Sequence, residues 1–448
     1  RTYGHAVFRR RRLWIPERKS HAQMQPRFVS EYNYACFQAD LPRALLTSSK
    51  CSPQHPQKES RLEFVEYLIL QGADAKKVMK IQGEDVSPLQ WAQKYGDSMT
   101  ADRLRKAISR AAEEPPLIIL PDVDARVEST TKKLPVAILF PGQGSQYVKM
   151  LAEVQHLEPC RKLIDKANTI LGYDILDLCL NGPESKLEET KYCQPAMFLA
   201  NCCALEKLRL EKPEVVEGAS ATAGLSLGEY NAIWFSGMLG FDDCLKVVRV
   251  RADAMQEEAN RSPQGMISIA GLDLQVLQEL CDTAEKQTGE IDGRPAVCKV
   301  ANLLFPKGYV CSGDRSAVEA LKSLCDSKGA LQAKFLKTSG AFHTSLMEPA
   351  GLKLLKALRV RVTDMNFPKM DVYMNNRGGP QRKGTDPREI NYDLAAQVSS
   401  PVLWQKLIEE MRQNGISEFY ECGPMKQLKA MMKRISQEAW EKTTSVSV

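Results

Sequence analysis

The sequence predicts an α/β domain with a largely parallel sheet, which begins at about residue 135 and continues to about residue 435. Helical and strand-like segments alternate along this stretch, an order typical of parallel α/β folds. Its first segment, PVAILF, is a short apolar run that ends in the glycine-rich turn PGQGSQ. Residues 114–134 are rich in proline and charge, which indicates a linker between this domain and an N-terminal region of different composition.

The N-terminal region divides into a basic arm and a helical module. Residues 1–60 show little periodicity, and residues 1–30 carry eight Arg or Lys against one Glu. Such a start resembles an organellar transit peptide, although a simple sequence boundary is the alternative. In residues 61–113, VEYLILQGAD followed by SPLQWAQKYG resembles an ankyrin repeat. A single repeat cannot bury its own apolar face, so two unrelated amphipathic helices are the alternative.

Composition excludes several classes of function. The net charge is +6, and the basic excess of the arm accounts for it, so nothing indicates a nucleic-acid-binding surface. No apolar run reaches the roughly 18 residues that a membrane helix needs. The 13 cysteines are scattered without C-x-x-C pairs, which indicates neither a disulfide framework nor a metal site. We therefore expect no nucleic-acid partner, no membrane span and no bound metal.

A candidate nucleophile lies in the segment GLSLG, residues 224–228. This segment fits G-x-S-x-G, in which a serine occupies a sharp turn between a strand and a helix. Glycines on either side allow the backbone to close without clashes of Cβ atoms. The motif alone is weak evidence because glycine is common, and a Gly/Ser-rich turn is the alternative. The motif identifies Ser226 as the candidate nucleophile.

A serine nucleophile needs a base, which is most often histidine. The chain has five histidines. Three of them, His5, His21 and His55, lie in the basic arm, and His156 lies in an ordinary amphipathic segment. Elimination therefore favours His343, in the segment KTSGAFHTSLM.

Acyl transfer also needs fixed N–H donors for the oxyanion of its tetrahedral intermediate. The residue after the nucleophile, Leu227, is expected to supply one donor. The loop PGQGSQ, residues 141–146, can supply the other, although a phosphate-cradling or purely structural turn is the alternative. It is not a Walker A loop, because no Gly-Lys-Ser/Thr follows it at the required spacing.

Seven sequence blocks occur in an order found in one known family. They are FPGQGSQ at 140–146, QPA at 194–196, GLSLGEY at 224–230, RADAMQ at 251–256, SGAFHTSLM at 339–347, QVSSPVLW at 397–404 and ECGP at 421–424. Together, over about residues 134–435, they resemble malonyl-CoA:acyl carrier protein transacylase of type II fatty acid synthesis. The resemblance implies an α/β hydrolase-like domain of residues 135–262 and 334–440, with a ferredoxin-like subdomain, residues 263–333, inserted in it.

The resemblance also implies catalytic roles. Ser226 would carry the acyl group and His343 would be the general base. The main-chain carbonyl of Gln397, rather than an aspartate, would orient the imidazole. The backbone N–H groups of Gln143 and Leu227 would form the oxyanion hole.

For the substrate, the resemblance implies that Arg251 holds the malonyl carboxylate by two parallel hydrogen bonds. An ordinary surface arginine is the alternative, since Arg249 is only two residues away. Gln194 would line the site, and the bulk of Phe342 would disfavour α-branched acyl groups.

Three positions depart from the family pattern. Leu225 stands where most bacterial members have histidine, although plant-like members share the leucine. Leu304 stands where the family usually has asparagine, and Met425 where it has glycine. The last two positions could alter contacts with the carrier or coenzyme A.

The expected reaction moves a malonyl group from malonyl-CoA through Ser226 to the phosphopantetheine thiol of acyl carrier protein, without a metal or redox cofactor. A hydrolase with the same elbow is one alternative, although Arg251 argues against a generic esterase. A structural subunit of a larger organellar assembly, docked through residues 1–113, is another. Mitochondria and plastids both carry out type II fatty acid synthesis. We expect a mitochondrial location, with the plastid as the alternative.

Overall fold

The computed structural model describes residues 133–338, 340–361 and 364–448, together with residue 105 and two short strands within the predicted module of residues 61–113. These two strands, Met79–Ile81 and Glu84–Val86, pair antiparallel. The predicted basic arm, most of the predicted ankyrin-like module and nearly all of the predicted linker lie outside the described residues. No helix in the described part of the chain is long and apolar enough to cross a membrane.

From residue 133 onward, the described residues form 12 strands and 14 helices. The strands are β1 (Leu134–Phe140), β2 (Ala219–Gly224), β3 (Gln264–Ala270), β4 (Glu290–Ile291), β5 (Arg294–Pro295), β6 (Cys298–Phe305), β7 (Gly308–Asp314), β8 (Gln332–Phe335), β9 (Asp371–Met374), β10 (Gly379–Gln381), β11 (Glu418–Cys422) and β12 (Thr443–Val446). The helices are α1 (Glu158–Leu171), α2 (Ile175–Asn181), α3 (Glu184–Glu188), α4 (Thr190–Glu211), α5 (Pro213–Gly218), α6 (Gly228–Phe235), α7 (Phe241–Ala259), α8 (Leu274–Thr288), α9 (Arg315–Ser327), α10 (Glu348–Val360), α11 (Pro387–Gln397), α12 (Trp404–Gln413), α13 (Gln427–Ile435) and α14 (Gln437–Glu441).

The large sheet has the strand order β10-β9-β2-β1-β11-β12. All neighbouring strands are parallel except β10, which pairs antiparallel with β9. The prediction of an α/β fold with a largely parallel sheet is therefore confirmed. Alternate side chains of β1 enter two separate apolar clusters, with Ile138 and Phe140 in one and Ala137 and Leu139 in the other. This strand is therefore apolar throughout because both of its faces are covered.

The carboxyl ends of the central strands meet at one edge of the large sheet. Phe140 at the end of β1 pairs with Gly224 at the end of β2, and β9 and β11 run in the same direction beside them. The loop PGQGSQ, the elbow and Asn375 follow directly after β1, β2 and β9. Parallel α/β sheets bind their ligands at this edge, which makes it the place to look for a functional site.

A second unit is inserted between α7 and the segment that carries His343. Its strands β3, β6, β7 and β8 form an antiparallel sheet in the order β8-β3-β7-β6, and α8 and α9 complete a βαββαβ sequence. The insert predicted at residues 263–333 overlaps this unit. It has its own apolar cluster. Backbone hydrogen bonds join it to the large domain, from Leu303 N–H to Val402 O at 2.8 Å and from Val402 N–H to Ala301 O at 2.8 Å.

The buried carboxylate of Glu421, at the end of β11, anchors the next helix. It accepts hydrogen bonds from the backbone N–H groups of Leu428 at 2.7 Å and Lys429 at 3.1 Å, both in the first turn of α13. The hydroxyl of Ser445 on β12 also donates to it, at 2.9 Å. The side chain thus satisfies N–H groups that a helix start leaves without partners, and it ties α13 to the sheet.

We predict that Glu421→Gln lowers the free energy of unfolding by about 1–3 kcal/mol, because the amide has one acceptor oxygen and turns an N–H group toward a backbone donor. Urea unfolding followed by circular dichroism measures this change. The control is Glu418→Gln at the exposed start of the same strand, where we expect a change within about 0.5 kcal/mol. Equal stability of the two variants would contradict the anchoring role.

Candidate active site

Ser226 occupies a tight turn between β2 and α6 with φ of +50°. This left-handed conformation is strained for any residue with a Cβ atom. The turn closes so tightly that a Cβ atom on Gly224 would lie 1.8 Å from the carbonyl carbon of Gly228. A Cβ atom on Gly228 would lie 2.2 Å from the backbone oxygen of Phe140. Both glycines of the motif are therefore required by contacts between backbone atoms.

Asn375, which follows β9, braces this turn from the neighbouring strand. Its Oδ1 accepts the N–H of Ser226 at 2.7 Å, and its Nδ2 donates to Gly224 O at 2.8 Å. The N–H of Leu225 adds a bond to Phe140 O at 2.9 Å. These three bonds satisfy the N–H groups of Leu225 and Ser226 and the carbonyl of Gly224 within the protein. Sequence reasoning missed Asn375, whose only signal is a polar residue directly after a buried strand.

The Oγ of Ser226 lies 2.9 Å from Nε2 of His343. Nδ1 of the same ring lies 2.8 Å from the main-chain oxygen of Gln397. Because a carbonyl oxygen only accepts, Nδ1 carries the proton and Nε2 is left to accept from the serine hydroxyl. Burial lowers the pKa of His343 to about 4, and the positive charge of Arg251 contributes to the same shift. The imidazole is therefore neutral near pH 7, as a proton acceptor must be.

The guanidinium of Arg251, on α7, is turned into the same site and is only 1% exposed. Its Nη2 donates to Ser226 Oγ at 3.0 Å and to the side-chain Oε1 of Gln397 at 2.9 Å. Among the described residues, its Nε has no hydrogen-bond acceptor. Arg249 points outward instead and donates to Ile170 O at 3.1 Å. The two arginines are therefore not equivalent, and only Arg251 faces the serine.

The loop after β1 lies against the elbow. A Cβ atom on Gly142 would lie 2.4 Å from Leu225 O and 3.8 Å from the backbone nitrogen of Leu227. The backbone N–H groups of Gln143 and Leu227 donate no hydrogen bond to any described residue. Both N–H groups thus lack an acceptor within the described part of the chain.

Two further predicted residues, Gln194 and Phe342, are buried near the helices and segments that carry the site. Gln194 is buried in α4, and its Nε2 lies 3.5 Å from the sulfur of Met255, about one turn after Arg251 on α7. Phe342 is buried in the main apolar cluster, and its ring lies over Gly340, where a Cβ atom would be 2.1 Å from the ring. Neither side chain hydrogen-bonds to Ser226 or His343 in the described part of the chain.

The three positions that depart from the family pattern have different surroundings. Leu225 is buried in the elbow. Leu304 is half-buried between two apolar clusters, which explains why an apolar side chain is accommodated there. Met425 is 52% exposed with φ of +64°, a conformation that favours glycine.

The combined geometry suits acyl transfer. A serine hydroxyl has a neutral imidazole within hydrogen-bond distance and a buried cation beside its oxygen, and the loop after β1 packs against its turn. No cluster of three or more His, Cys, Asp or Glu able to hold a metal ion occurs among the described residues.

Comparison with known proteins agrees with this geometry. The family model described as acyl transferase domain matches residues 138–448, so the chain has the fold and site of an acyl transferase. Human mitochondrial malonyl-CoA-acyl carrier protein transacylase is 36% identical over 327 residues, which cover 71% of this chain and 83% of the human protein. The chain belongs to the family of malonyl-CoA-acyl carrier protein transacylases.

Solved structures give the same result. The malonyl-CoA:acyl carrier protein transacylase of Xanthomonas oryzae pv. oryzae superposes with a TM-score of 0.64 at 29% identity, covering 71% of this chain and 96% of that chain. One chain of a solved structure, described as a type II PKS acyl-carrier protein in complex with its malonyl-transacylase, matches with a TM-score of 0.62 at 28% identity. The match covers 70% of this chain and 95% of that chain.

We predict that Gly228→Ala destabilises the domain by about 3 kcal/mol, because the new methyl group meets backbone atoms that cannot move aside. Thermal unfolding measures the loss. Gly240→Ala is the matched control, since a Cβ atom there has no neighbour within 4 Å and its φ is −68°. Gly228→Ala unfolding at the same temperature as Gly240→Ala would contradict the close packing of the elbow.

Proposed function

We propose that this protein transfers malonyl groups from malonyl-CoA to acyl carrier protein through a malonyl ester of Ser226. The observation that carries the proposal is the buried guanidinium of Arg251, whose Nη2 lies 3.0 Å from Ser226 Oγ. A cation held beside a nucleophile suits an acyl group that bears its own carboxylate. Membership of the transacylase family supports the same reaction.

In the first half-reaction, His343 Nε2 takes the proton of Ser226 as Oγ attacks the thioester carbonyl. The oxyanion accepts hydrogen bonds from the N–H groups of Gln143 and Leu227. When the intermediate collapses, the C–S bond breaks, His343 returns the proton to sulfur, and coenzyme A leaves as its thiol. The carbonyl of Gln397, 2.8 Å from Nδ1, stabilises the imidazolium that forms in between.

In the second half-reaction, the phosphopantetheine thiol of the carrier attacks the malonyl ester. His343 takes the thiol proton and then gives it to the departing Ser226 oxygen, which restores the free enzyme. The similarity to a malonyl-transacylase in complex with its acyl-carrier protein supports this partner. Both steps use groups of the chain and its two substrates, and the proposed cycle requires no metal or redox cofactor.

Acyl selectivity follows from charge and bulk. Arg251 binds the malonyl carboxylate through two N–H groups, whereas an acetyl group offers this buried cation no anion to pair with, which is unfavourable. We assign Gln194 to the lining of the acyl pocket, and Phe342 to the exclusion of α-branched acyl groups.

Two further assignments belong to the proposal. A mitochondrial location is supported by the human relative, whose name places it there. A ferredoxin-like identity for the inserted unit is supported by its βαββαβ order and its sheet order β8-β3-β7-β6.

We predict that Arg251→Ala slows formation of the malonyl adduct at low malonyl-CoA concentration by about 100-fold, because a charge-assisted pair is lost. Formation of the acetyl adduct from acetyl-CoA should not slow. Mass spectrometry of the intact protein measures both adducts. Arg249→Ala, which removes the neighbouring exposed cation, should retain the wild-type preference. A wild-type preference in Arg251→Ala would show that Arg251 does not recognise the substrate carboxylate.

We predict that the apparent second-order rate of malonyl adduct formation stays level from pH 7.5 down to about pH 5 and then falls about tenfold per pH unit below the pKa of His343. The rate falls at low pH because His343 must be neutral to accept a proton, and its pKa in the free enzyme is lowered to about 4. Quenched-flow measurements between pH 3.5 and 8, with circular dichroism to verify folding, test this profile. A midpoint at the ordinary histidine value of about 6.5 would contradict the desolvated environment.

A further inference from the structure

Glu229 is a fully buried carboxylate beneath the serine. It lies in the first turn of α6, its Oε1 accepts the backbone N–H of Asn375, and its Oε2 accepts from Gln397 Nε2 at 2.6 Å. Both oxygens therefore serve as acceptors for N–H groups. Burial raises the pKa of Glu229 well above its ordinary range, although the N–H of Asn375 and the charge of Arg251 act in the opposite direction. A polar group in such a place must have its hydrogen bonds satisfied within the protein.

The side-chain amide of Gln397 links this carboxylate to Arg251. Its Nε2 donates to Glu229 Oε2 and to Ser226 O at 2.7 Å, and its Oε1 accepts from Arg251 Nη2 at 2.9 Å. A reversed amide would turn its N–H groups toward the guanidinium and its oxygen toward two acceptors. Glu229 and the carbonyl of Ser226 together determine which end of the amide faces Arg251.

We propose that Glu229 is a positioning residue for carboxylate-bearing acyl groups: through the Gln397 amide, it holds the Arg251 guanidinium facing Ser226. The inference rests on the proposed function. A guanidinium already held in place loses little side-chain freedom when a carboxylate binds. In the malonyl ester, the Gln397 bond would keep one edge of Arg251 fixed while other N–H groups of the guanidinium bind the acyl carboxylate.

A different role for the same residue is to brace the elbow through Asn375. The two roles differ in their dependence on Arg251. A brace affects the reactivity of Ser226 whether or not the arginine is present. A positioning residue acts through the arginine, and its effect disappears when the arginine is removed.

Glu229→Gln tests this difference, because an amide cannot accept on both atoms. Single-turnover rates of malonyl adduct formation are measured against malonyl-CoA concentration by rapid quench and intact-protein mass spectrometry. We expect the half-saturating concentration to rise about tenfold and the limiting rate to stay within about twofold, the pattern of lost ground-state binding.

The matched control is Glu258→Gln. Glu258 is another buried glutamate, 2% exposed, but it lies outside the site and pairs with Arg261 Nε at 3.0 Å. This variant should keep both wild-type values. Gln397→Met is a second variant, which removes the amide link, keeps the main-chain carbonyl beside His343 and leaves the bond from Asn375 to Glu229 intact. It should reproduce the rise in half-saturating concentration.

The decisive experiment combines Glu229→Gln with Arg251→Ala in one double variant. In that background the glutamate substitution should change neither kinetic value further. The inference is overturned if Glu229→Gln lowers the limiting rate equally with and without Arg251, or if Gln397→Met keeps the wild-type half-saturating concentration. Wild-type protein that forms no malonyl adduct refutes the proposed function itself. An adduct that depends on Arg251 but not on Glu229 refutes only this inference.

Discussion

The strained left-handed conformation of Ser226 is the constraint on which the rest of the site depends. A φ of +50° on a residue with a Cβ atom costs about 1–3 kcal/mol and persists only where the surroundings enforce it. Here the enforcement comes from the backbones of β1, β2 and α6, which approach so closely that only glycine fits at positions 224 and 228. Asn375 adds two hydrogen bonds from β9. This conformation places the Oγ of Ser226 at the carboxyl edge of the sheet.

The second constraint is the burial of charge. Arg251 and Glu229 are both almost completely removed from water, and a buried ion is unfavourable unless it is paired and hydrogen-bonded. They are joined through the amide of Gln397, which accepts a hydrogen bond from Arg251 and donates one to Glu229. The same residue holds His343 by its main-chain carbonyl. Gln397 thus connects the proposed base, the cation and the backbone of the serine. In the proposed reaction, the substrate carboxylate is the anion that pairs with Arg251.

Much of the fold could be predicted from the sequence, because its signals are local. PVAILF is continuously apolar since β1 is covered on both faces, and the glycine spacing around Ser226 reflects contacts within a few residues. His343 could be selected because few histidines lie outside the basic arm. The choice of Arg251 over Arg249 rested on resemblance, since spacing alone does not say which face of α7 meets the serine.

The remaining site residues depend on contacts that the sequence does not display. Asn375 lies 149 positions from Ser226 and 146 from Glu229, although it hydrogen-bonds to both. Only the parallel pairing of β9 with β2 brings them together. Glu229 had one available signal, a charged residue in the apolar helix segment EYNAIWF, but nothing local identifies its partner Gln397. The predictions for the basic arm and for most of the ankyrin-like module concern residues that the structure does not describe.

The central claim is that a malonyl group is carried on Ser226 and passed to a thiol. The most direct test is mass spectrometry of the intact protein after brief exposure to malonyl-CoA, followed by addition of phosphopantetheinylated carrier protein. We expect one malonyl adduct, which maps to the peptide containing Ser226, is absent in Ser226→Ala and is discharged as the carrier gains the same mass. An adduct that persists in Ser226→Ala, or one that is lost to water while the carrier stays unmodified, would contradict it.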